Sequence, residues 1–323
     1  MSSLKATAVA HPMQGLVKYH GLRDEALRLP FHDSISVATA PISTTTTIEF
    51  GGTDRDIAVI DGKAAEGRSL ERVLSVVNRV REMASIDDKF HLISVSDFES
   101  GIGLGASASG FAALATAACA AAGLRIDTDR VSAIARLGAG SATRSVAGGF
   151  ARWYAGSGDE DSIARCLAGP EKLQMGIVVA IVKTVKQTED AHAEVLRSPL
   201  FQGRLSYIEG ALGEMEEAIK TADIAGIGKI AERDTLVLHA VTMTGPGAML
   251  LWKPDTLKVI EEVRAMRMEG LAAYYSIDTG ATVYINCPAE DVNEVEKRIR
   301  DTGIQTIRCS VGGPARITGK HLF

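Results

Sequence analysis

The sequence predicts a mixed chain of strands and helices, arranged as two moderate domains, each with its own core. Three observations carry this. At 323 residues and 46% hydrophobic composition, the chain is long enough for one large or two moderate buried cores. Short apolar or alternating runs of strand type recur between segments with helical apolar spacing, from one end to the other. Gly169-Pro170 breaks that pattern near the middle and places a boundary between residues 1–170 and 171–323.

The first strand is the weakly alternating run from Leu4 to Ala10, which leads into the segment His11 to Asp24. Within it, Lys18 lies between an apolar pair and an aromatic residue. An ammonium there is partly desolvated and needs an anionic partner, such as a substrate carboxylate or phosphate; a lysine snorkelling from a strand edge fits the local sequence equally well. Leu29 to Val37 reads as a turn and a strand, Thr44 to Phe50 as an alternating strand, and Ile57 to Ile60 as another. Arg68 to Ala84 follows as an amphipathic helix with Leu70, Val73, Leu74, Val77 and Val80 at helical spacing. Arg68 in its lead-in is, on local evidence, an ordinary solvated arginine.

A short strand, His91 to Val95, then precedes the run Glu99 to Leu114, in which Gly101, Gly103 and Gly105 alternate. Glycines let the backbone turn sharply and approach a ligand with no Cβ in the way. Ser107 to Ala122 is alanine-rich and helix-forming. The loop therefore delivers the chain to a helix N-terminus, where unpaired N–H groups favour an anion. Leu104, Ala106 and Ala108 complete this cradle, and Ser107 and Ser109 add hydroxyls for phosphate oxygens or Mg2+. Taken in isolation the loop is more readily a plain turn before a core helix. A Walker A motif is excluded, because no lysine stands between Lys89 and Lys172. A dinucleotide fingerprint is weak: Asp127 is suitably spaced, but its segment is too polar for a strand and leads into another helix.

Asp129 to Arg136 reads as a short helix, followed by a return to small residues from Gly138. Ser141, Thr143, Arg144 and Ser145 put three hydroxyls and a guanidinium into five positions, a composition suited to a polyanion. Phe150 to Ala155 is a strand. Met175 to Val182 is apolar throughout and so belongs at the centre of a second sheet. It feeds a polar loop, Lys183 to His192, at a buried strand end where ligand groups commonly sit. Leu205 to Ala222 and Thr256 to Arg267 are amphipathic helices, Ala273 to Ile285 is strand, turn, strand, and a helix at Ala289 to Arg300 precedes a last strand from Gln305 to Val311. Asp278 stands at the junction of two apolar strands. A carboxylate there needs hydrogen bonds or a cation, and an aspartate accepting backbone N–H bonds in a tight turn is the simpler local reading.

A net charge of −5 supplies no general field for nucleic acid or an anionic membrane, so any anion site is local. Cys119, Cys166, Cys287 and Cys309 are scattered, with no Cys-x-x-Cys pair, which fits a reducing compartment. The first fifteen residues show no unbroken apolar stretch of signal-peptide type and no run reaches transmembrane length, so the expectation is a cytoplasmic protein.

Together these stretches resemble the small-molecule kinase superfamily of galactokinase, homoserine kinase, mevalonate kinase and phosphomevalonate kinase (GHMP), and within it the mevalonate diphosphate decarboxylases. The resemblance runs through Leu16-Val-Lys-Tyr19, Arg23-Asp24, Asp33-Ser-Ile-Ser-Val37, Gly103 to Leu114, Gly140 to Gly149, Lys183-Thr184-Val185 and Ile277-Asp-Thr-Gly280, in the same order. It implies an α+β fold of two lobes, an N-terminal lobe like ribosomal protein S5 domain 2 and a ferredoxin-like C-terminal lobe, with the site in the cleft between them and a homodimeric assembly. It also implies a reaction in which ATP phosphorylates a tertiary 3-hydroxyl, after which phosphate and carbon dioxide leave to give an alkene.

By position, the resemblance assigns Asp278 to taking the hydroxyl proton or orienting that hydroxyl toward the γ-phosphate, Lys18 to charge near the reacting hydroxyl and carboxylate, and Arg144 to substrate carboxylate or phosphate. The glycine loop and Ser107 are assigned to ATP and Mg2+, Ser141 and Arg68 to the terminal phosphate of the substrate, and Tyr19 to substrate or nucleotide. This chain departs from the diphosphate-acting pattern at Ala139, where a phosphate-directed serine is usual, at Asp190-Ala-His192, and at His20 and His32. These departures resemble the archaeal-type phosphomevalonate decarboxylases, which implies mevalonate 5-phosphate as substrate and isopentenyl phosphate as product. Mevalonate 5-diphosphate, an already phosphorylated 3,5-bisphosphate decarboxylated without ATP, a mevalonate-type kinase and a non-catalytic binding module remain as other readings.

Overall fold

The computed structural model describes residues 4–99, 101–183, 192 and 194–323. The described strands are β1 Lys5–Ala10, β2 Met13–Val17, β3 Leu22–Asp24, β4 Leu29–Pro30, β5 Ser34–Ala40, β6 Thr44–Phe50, β7 Ile57–Ile60, β8 Lys63–Ala64, β9 Phe90–Ser96, β10 Phe150–Trp153, β11 Ala164–Ala168, β12 Met175–Ala180, β13 Tyr274–Ser276, β14 Val283–Pro288, β15 Thr306–Val311 and β16 Arg316–Thr318. The helices are α1 Gly67–Ala84, α2 Ala106–Ala121, α3 Thr128–Gly138, α4 Ala142–Ala147, α5 Phe201–Lys220, α6 Ile224–Met243, α7 Pro254–Met268 and α8 Val292–Asp301.

One sheet of six strands, in the order β16-β1-β6-β9-β7-β8, packs against α2, and α1 joins the same core beside α2. Its core joins Ala8, Ile48, Phe50 and Phe90 from the strands to Val73, Val77, Ala113 and Ala117 from the helices. The alanines of α2 let that helix lie close to the strands while its other sides meet α1, α3 and α4, so the helix is buried nearly all round.

The second sheet has eight strands in the order β11-β10-β5-β15-β12-β14-β13, with β2 also paired to β5. It spans both halves of the chain, because β15 meets β5 through Ser310↔Ala40 and Val311↔Thr39. After β15 the chain crosses back, and β16 pairs with β1 at the edge of the first sheet. On β12, Ile177 and Val179 face the core shared with α5 and α6, whereas Val178 faces the core beneath α7 and α8. A strand covered on both faces has no polar side to show, which is why Met175 to Val182 carries no alternation.

Most predicted elements stand within a few residues of their expected limits, and two differences bear on the site. The small-residue segment after Gly138 is not all loop: Ala142–Ala147 forms α4, which carries Arg144. The sequence reading places no helix at 224–243, yet α6 runs there for 20 residues. Its buried face mixes Ile227, Leu238 and Val241 with Asp234, Thr235, His239 and Thr242, so the apolar periodicity is blurred. Gly228 sits where a Cβ would come within 2.2 Å of the Tyr274 ring, a packing demand that reads in sequence as a helix breaker. Among the described residues no helix is long and apolar enough to cross a membrane.

Candidate active site

The cleft begins where β2 and β13 end side by side. The Gly15 N–H donates to Asp278 Oδ1 at 3.0 Å, and Ser276 Oγ donates to the Gly15 carbonyl at 2.8 Å. A Cβ on Gly15 would stand 2.6 Å from Lys18 Cγ and 2.9 Å from Asp278 Oδ1, so these two groups converge only because residue 15 has no side chain. Lys18 is 4% exposed. Its ammonium donates to Thr235 Oγ1 at 3.0 Å and lies 3.6 Å from Asp234 Oδ2. Burial pulls the Lys18 pKa below the usual lysine range, opposed by the charges of Asp234 and Asp278.

Arg144 enters from α4 and is 2% exposed. Its Nη1 donates to Ser34 Oγ at 2.9 Å, and the guanidinium lies 5.3 Å from the Tyr19 ring centroid and 5.8 Å from that of Trp153. Its Nε is buried with no hydrogen-bond partner, and it forms no ion pair among the described residues. Burial brings its pKa down to about 10. The charge of Asp278 and the Tyr19 hydroxyl offset that burial only in part and without an ion pair, so the guanidinium still favours an added anion.

Tyr19 stands between Trp153, with ring centroids 4.8 Å apart, and His192, stacked at 5.0 Å. His192 Nδ1 accepts from the Gly21 N–H at 3.1 Å. Lys18, Tyr19, Ser141, Arg144, His192 and Asp278 thus line one cleft, with Gly103 and Gly105 at its rim.

The glycine loop is pinned from the far side. Gly101, Gly103 and Gly105 have φ of +88°, +87° and +74°, a left-handed run that other residues resist. Thr282 Oγ1 donates to the Ile102 carbonyl at 2.6 Å, and the Tyr284 hydroxyl donates to the Gly103 carbonyl at 3.1 Å. Held in this way, the loop feeds α2, whose first turn, with Ala106 and Ser107, borders a larger cavity of about 410 Å3. Arg68, Arg72, Asp61, Thr44 and Thr46 also line that cavity.

Several expected site residues lie elsewhere. Arg68 borders the larger cavity beside Ser107, not the cleft that holds Ser141, because α1 packs beside α2 in the first core. Ser109 is fully buried and shares a hydrogen bond of 2.7 Å with Thr44 Oγ1, so its hydroxyl faces the sheet rather than a phosphate. The Ala108 N–H donates to the Gly105 carbonyl at 2.8 Å within the helix, and the Leu104 side chain belongs to the core of the second sheet. Ala139 packs in the first core, so the missing hydroxyl there does not face the cleft. Thr184, Val185, Asp190 and Ala191 lie outside the described residues.

The sequence reading missed Asp234, Thr235 and Arg204. Asp234 Oδ2 accepts from the Lys18 N–H at 2.9 Å, while Arg204 Nη2 donates to Asp234 Oδ1 at 3.1 Å and to the Lys18 carbonyl at 2.6 Å. Their signal was available as an aspartate and an arginine in register with the apolar faces of their helices, α6 and α5. Recognising it required finding α6, whose N-cap aspartate, Asp223, accepts from the Gly226 N–H.

Comparison with known proteins identifies the family and the fold. Residues 10–164 match the model of the diphosphomevalonate decarboxylase-like N-terminal domain, and residues 175–309 match that of the mevalonate 5-diphosphate decarboxylase C-terminal domain. The phosphomevalonate decarboxylase of Haloferax volcanii is 46% identical over 316 residues, covering 97% of this chain and 98% of the relative. The structure of the mevalonate diphosphate decarboxylase from Staphylococcus aureus superposes with a TM-score of 0.91 at 27% identity, covering 97% of this chain and 98% of that one. That from Enterococcus faecalis gives a TM-score of 0.91 at 28% identity, covering 99% and 100%. With the two matched domains covering most of its length and the glycine loop, Lys18, Arg144 and Asp278 meeting at one cleft, the chain belongs to the diphosphomevalonate decarboxylase family and has its GHMP-kinase-type fold.

Proposed function

We propose that the protein converts mevalonate 5-phosphate to isopentenyl phosphate, using ATP to phosphorylate the 3-hydroxyl before phosphate and carbon dioxide depart. The observation that carries this is the Arg144 guanidinium, buried without an ion pair among the described residues and facing the cleft that Lys18, Asp278, Gly103 and Gly105 also line. The monophosphate is preferred because of the 46% identity to a phosphomevalonate decarboxylase.

In this reading Asp278, oriented by the Gly15 N–H, accepts the proton of the 3-hydroxyl as its oxygen attacks the γ-phosphorus of ATP. Lys18 places positive charge beside the oxygen that loses its proton. Arg144 holds an acidic group of the substrate, and Ser141 and His192 border the same cleft. The C3–O bond then breaks with its electron pair going to phosphate, and the C1–C2 pair becomes the alkene bond as carbon dioxide leaves. The left-handed glycines, the N-terminus of α2, Ser107 and the arginines of the larger cavity fit a nucleotide polyphosphate. Among the described residues no cluster of three metal-ligating side chains occurs, so Mg2+ would be held by phosphate oxygens together with Ser107. It would supply charge neutralisation on the transferred phosphoryl group. A solved neighbour described as MDDEF in complex with MVAPP, AMPPCP and magnesium, with a TM-score of 0.91, supports a nucleotide and Mg2+ as the cofactors of this reading.

Mevalonate 5-diphosphate is the second reading, favoured by Ala139, whose position in the core removes one reason for expecting a weaker phosphate grip. The deciding assay supplies ATP and Mg2+ with mevalonate, its 5-phosphate and its 5-diphosphate in parallel, and follows ADP, phosphate and carbon dioxide. Equal release of all three from the monophosphate is the expected result. ADP without carbon dioxide would make the protein a kinase, and turnover of the diphosphate alone would establish the second reading.

A further inference from the structure

We propose that Thr235 is a positioning residue: its hydroxyl fixes the Lys18 ammonium relative to the strand end that carries Asp278. This rests on the roles given above to Lys18 and Asp278. A hydroxyl has one proton to donate and two lone pairs to accept with. All three capacities of Thr235 are used. Oγ1 donates to the Ala231 carbonyl at 2.8 Å, one turn earlier in α6. It accepts from the Lys18 ammonium at 3.0 Å and from the Ile277 N–H at 3.2 Å.

Ile277 immediately precedes Asp278, so one oxygen atom ties both reacting groups to the same helix. Thr235 is fully buried, and its β-branched side chain has little rotamer freedom. The neighbouring Asp234 holds the Lys18 backbone N–H, and Arg204 holds the Lys18 carbonyl and Asp234 itself. The base of the lysine is therefore fixed by charged partners, and its ammonium end has Thr235 Oγ1 at 3.0 Å and the Asp234 carboxylate further off at 3.6 Å. The charged and titratable groups facing Lys18 are Asp234 and His239 of α6, Arg204 of α5 and Asp278. Thr235 is neutral among them, so it sets geometry and supplies an acceptor without altering the charge balance.

The test compares Thr235→Val and Thr235→Ser with the parent in the full chain. Steady-state kcat and KM are measured with mevalonate 5-phosphate, and the Lys18 titration is followed by 13C NMR of ε-labelled lysine, assigned with Lys18→Met. Thr235→Val is expected to lower kcat roughly 10–100-fold, the scale of a hydrogen bond to a charged group, with a much smaller change in KM. It should also move the Lys18 titration to lower pH, because the buried ammonium loses an acceptor. Thr235→Ser should restore both towards parental values. Parental kcat and an unchanged Lys18 titration in Thr235→Val would overturn the proposal whatever happens to the melting temperature. So would a serine variant as impaired as the valine one, which would assign the effect to packing of the methyl group. If the parent turns over none of the mevalonate phosphates, the functional reading fails separately and the Lys18 titration decides the positioning role.

Discussion

Arg144 shows most sharply how a single residue divides stability from function. Its guanidinium is buried against Tyr19 and Trp153 with Ser34 as its one hydrogen-bonding side chain among the described residues. Desolvation outweighs the attraction of Asp278 and Tyr19, which destabilises the free protein, and the rest of that cost is recovered when an anion arrives. Arg144→Met should therefore raise the thermal midpoint of the ligand-free protein by a few degrees while abolishing turnover; calorimetry alongside the product assay checks both. A lower midpoint in the methionine variant would mean that the guanidinium is already compensated. Local composition showed Arg144 as part of a small-residue, hydroxyl-rich stretch, and the family resemblance assigned it to a substrate anion. That it makes no ion pair among the described residues, and feels the Asp278 carboxylate only across the cleft, is a fact of packing, since no local pattern reports how far a distant charge stands.

At the scale of elements, the site depends on two strand ends and one helix. β2 and β13 bring Gly15 and Asp278 together, and α6 holds Lys18 between them. Gly15 is the joint of this arrangement, with φ not in the left-handed region and a space requirement of its own. Gly15→Ala should leave the fold intact, because its backbone conformation suits any residue, while the added methyl displaces Asp278 or Lys18. A fall in kcat of roughly 10-fold or more, with a nearly unchanged far-UV circular dichroism spectrum, is the expected outcome. Parental activity would show that the cleft yields easily. The glycine loop was legible because it is contiguous in sequence, whereas this joint is assembled from residues 263 positions apart.

For the whole molecule, the second sheet carries strands from both halves, and β15 and β16 bind the C-terminal part of the chain to the N-terminal part. The cleft is thus framed by elements that cannot separate without breaking a shared ladder. The buried site also leaves a mark on acid stability. His239 is 1% exposed and packs 5.0 Å from Trp252. Burial, reinforced by the Lys18 charge, lowers its pKa to about 3. Below the ordinary histidine pKa of about 6.5 the unfolded chain takes up a proton that the folded chain refuses, so stability falls as pH drops from there towards about 3. Above pH 6.5 this histidine contributes no slope. Thermal midpoints measured from pH 7.5 to 5 should decline in the parent and decline less steeply in His239→Gln; parallel curves would show that His239 titrates normally.

What the sequence determined by itself was whatever depends on neighbours along the chain. The alternation of β6, the apolar run of β12, the helical spacing of α1 and the glycine loop leading into α2 all follow from local periodicity and from glycine's freedom at positive φ. The motif order also carried the family and, through it, Lys18, Arg144 and Asp278. Only the tertiary structure decided that Arg68 lies with Ser107 rather than Ser141, that Ser109 and Ala139 face cores, and that Asp234, Thr235 and Arg204 stand behind Lys18. The physical reason is the same in each case. A side chain's chemistry is written locally, but its burial and its partners depend on which distant element is packed against it.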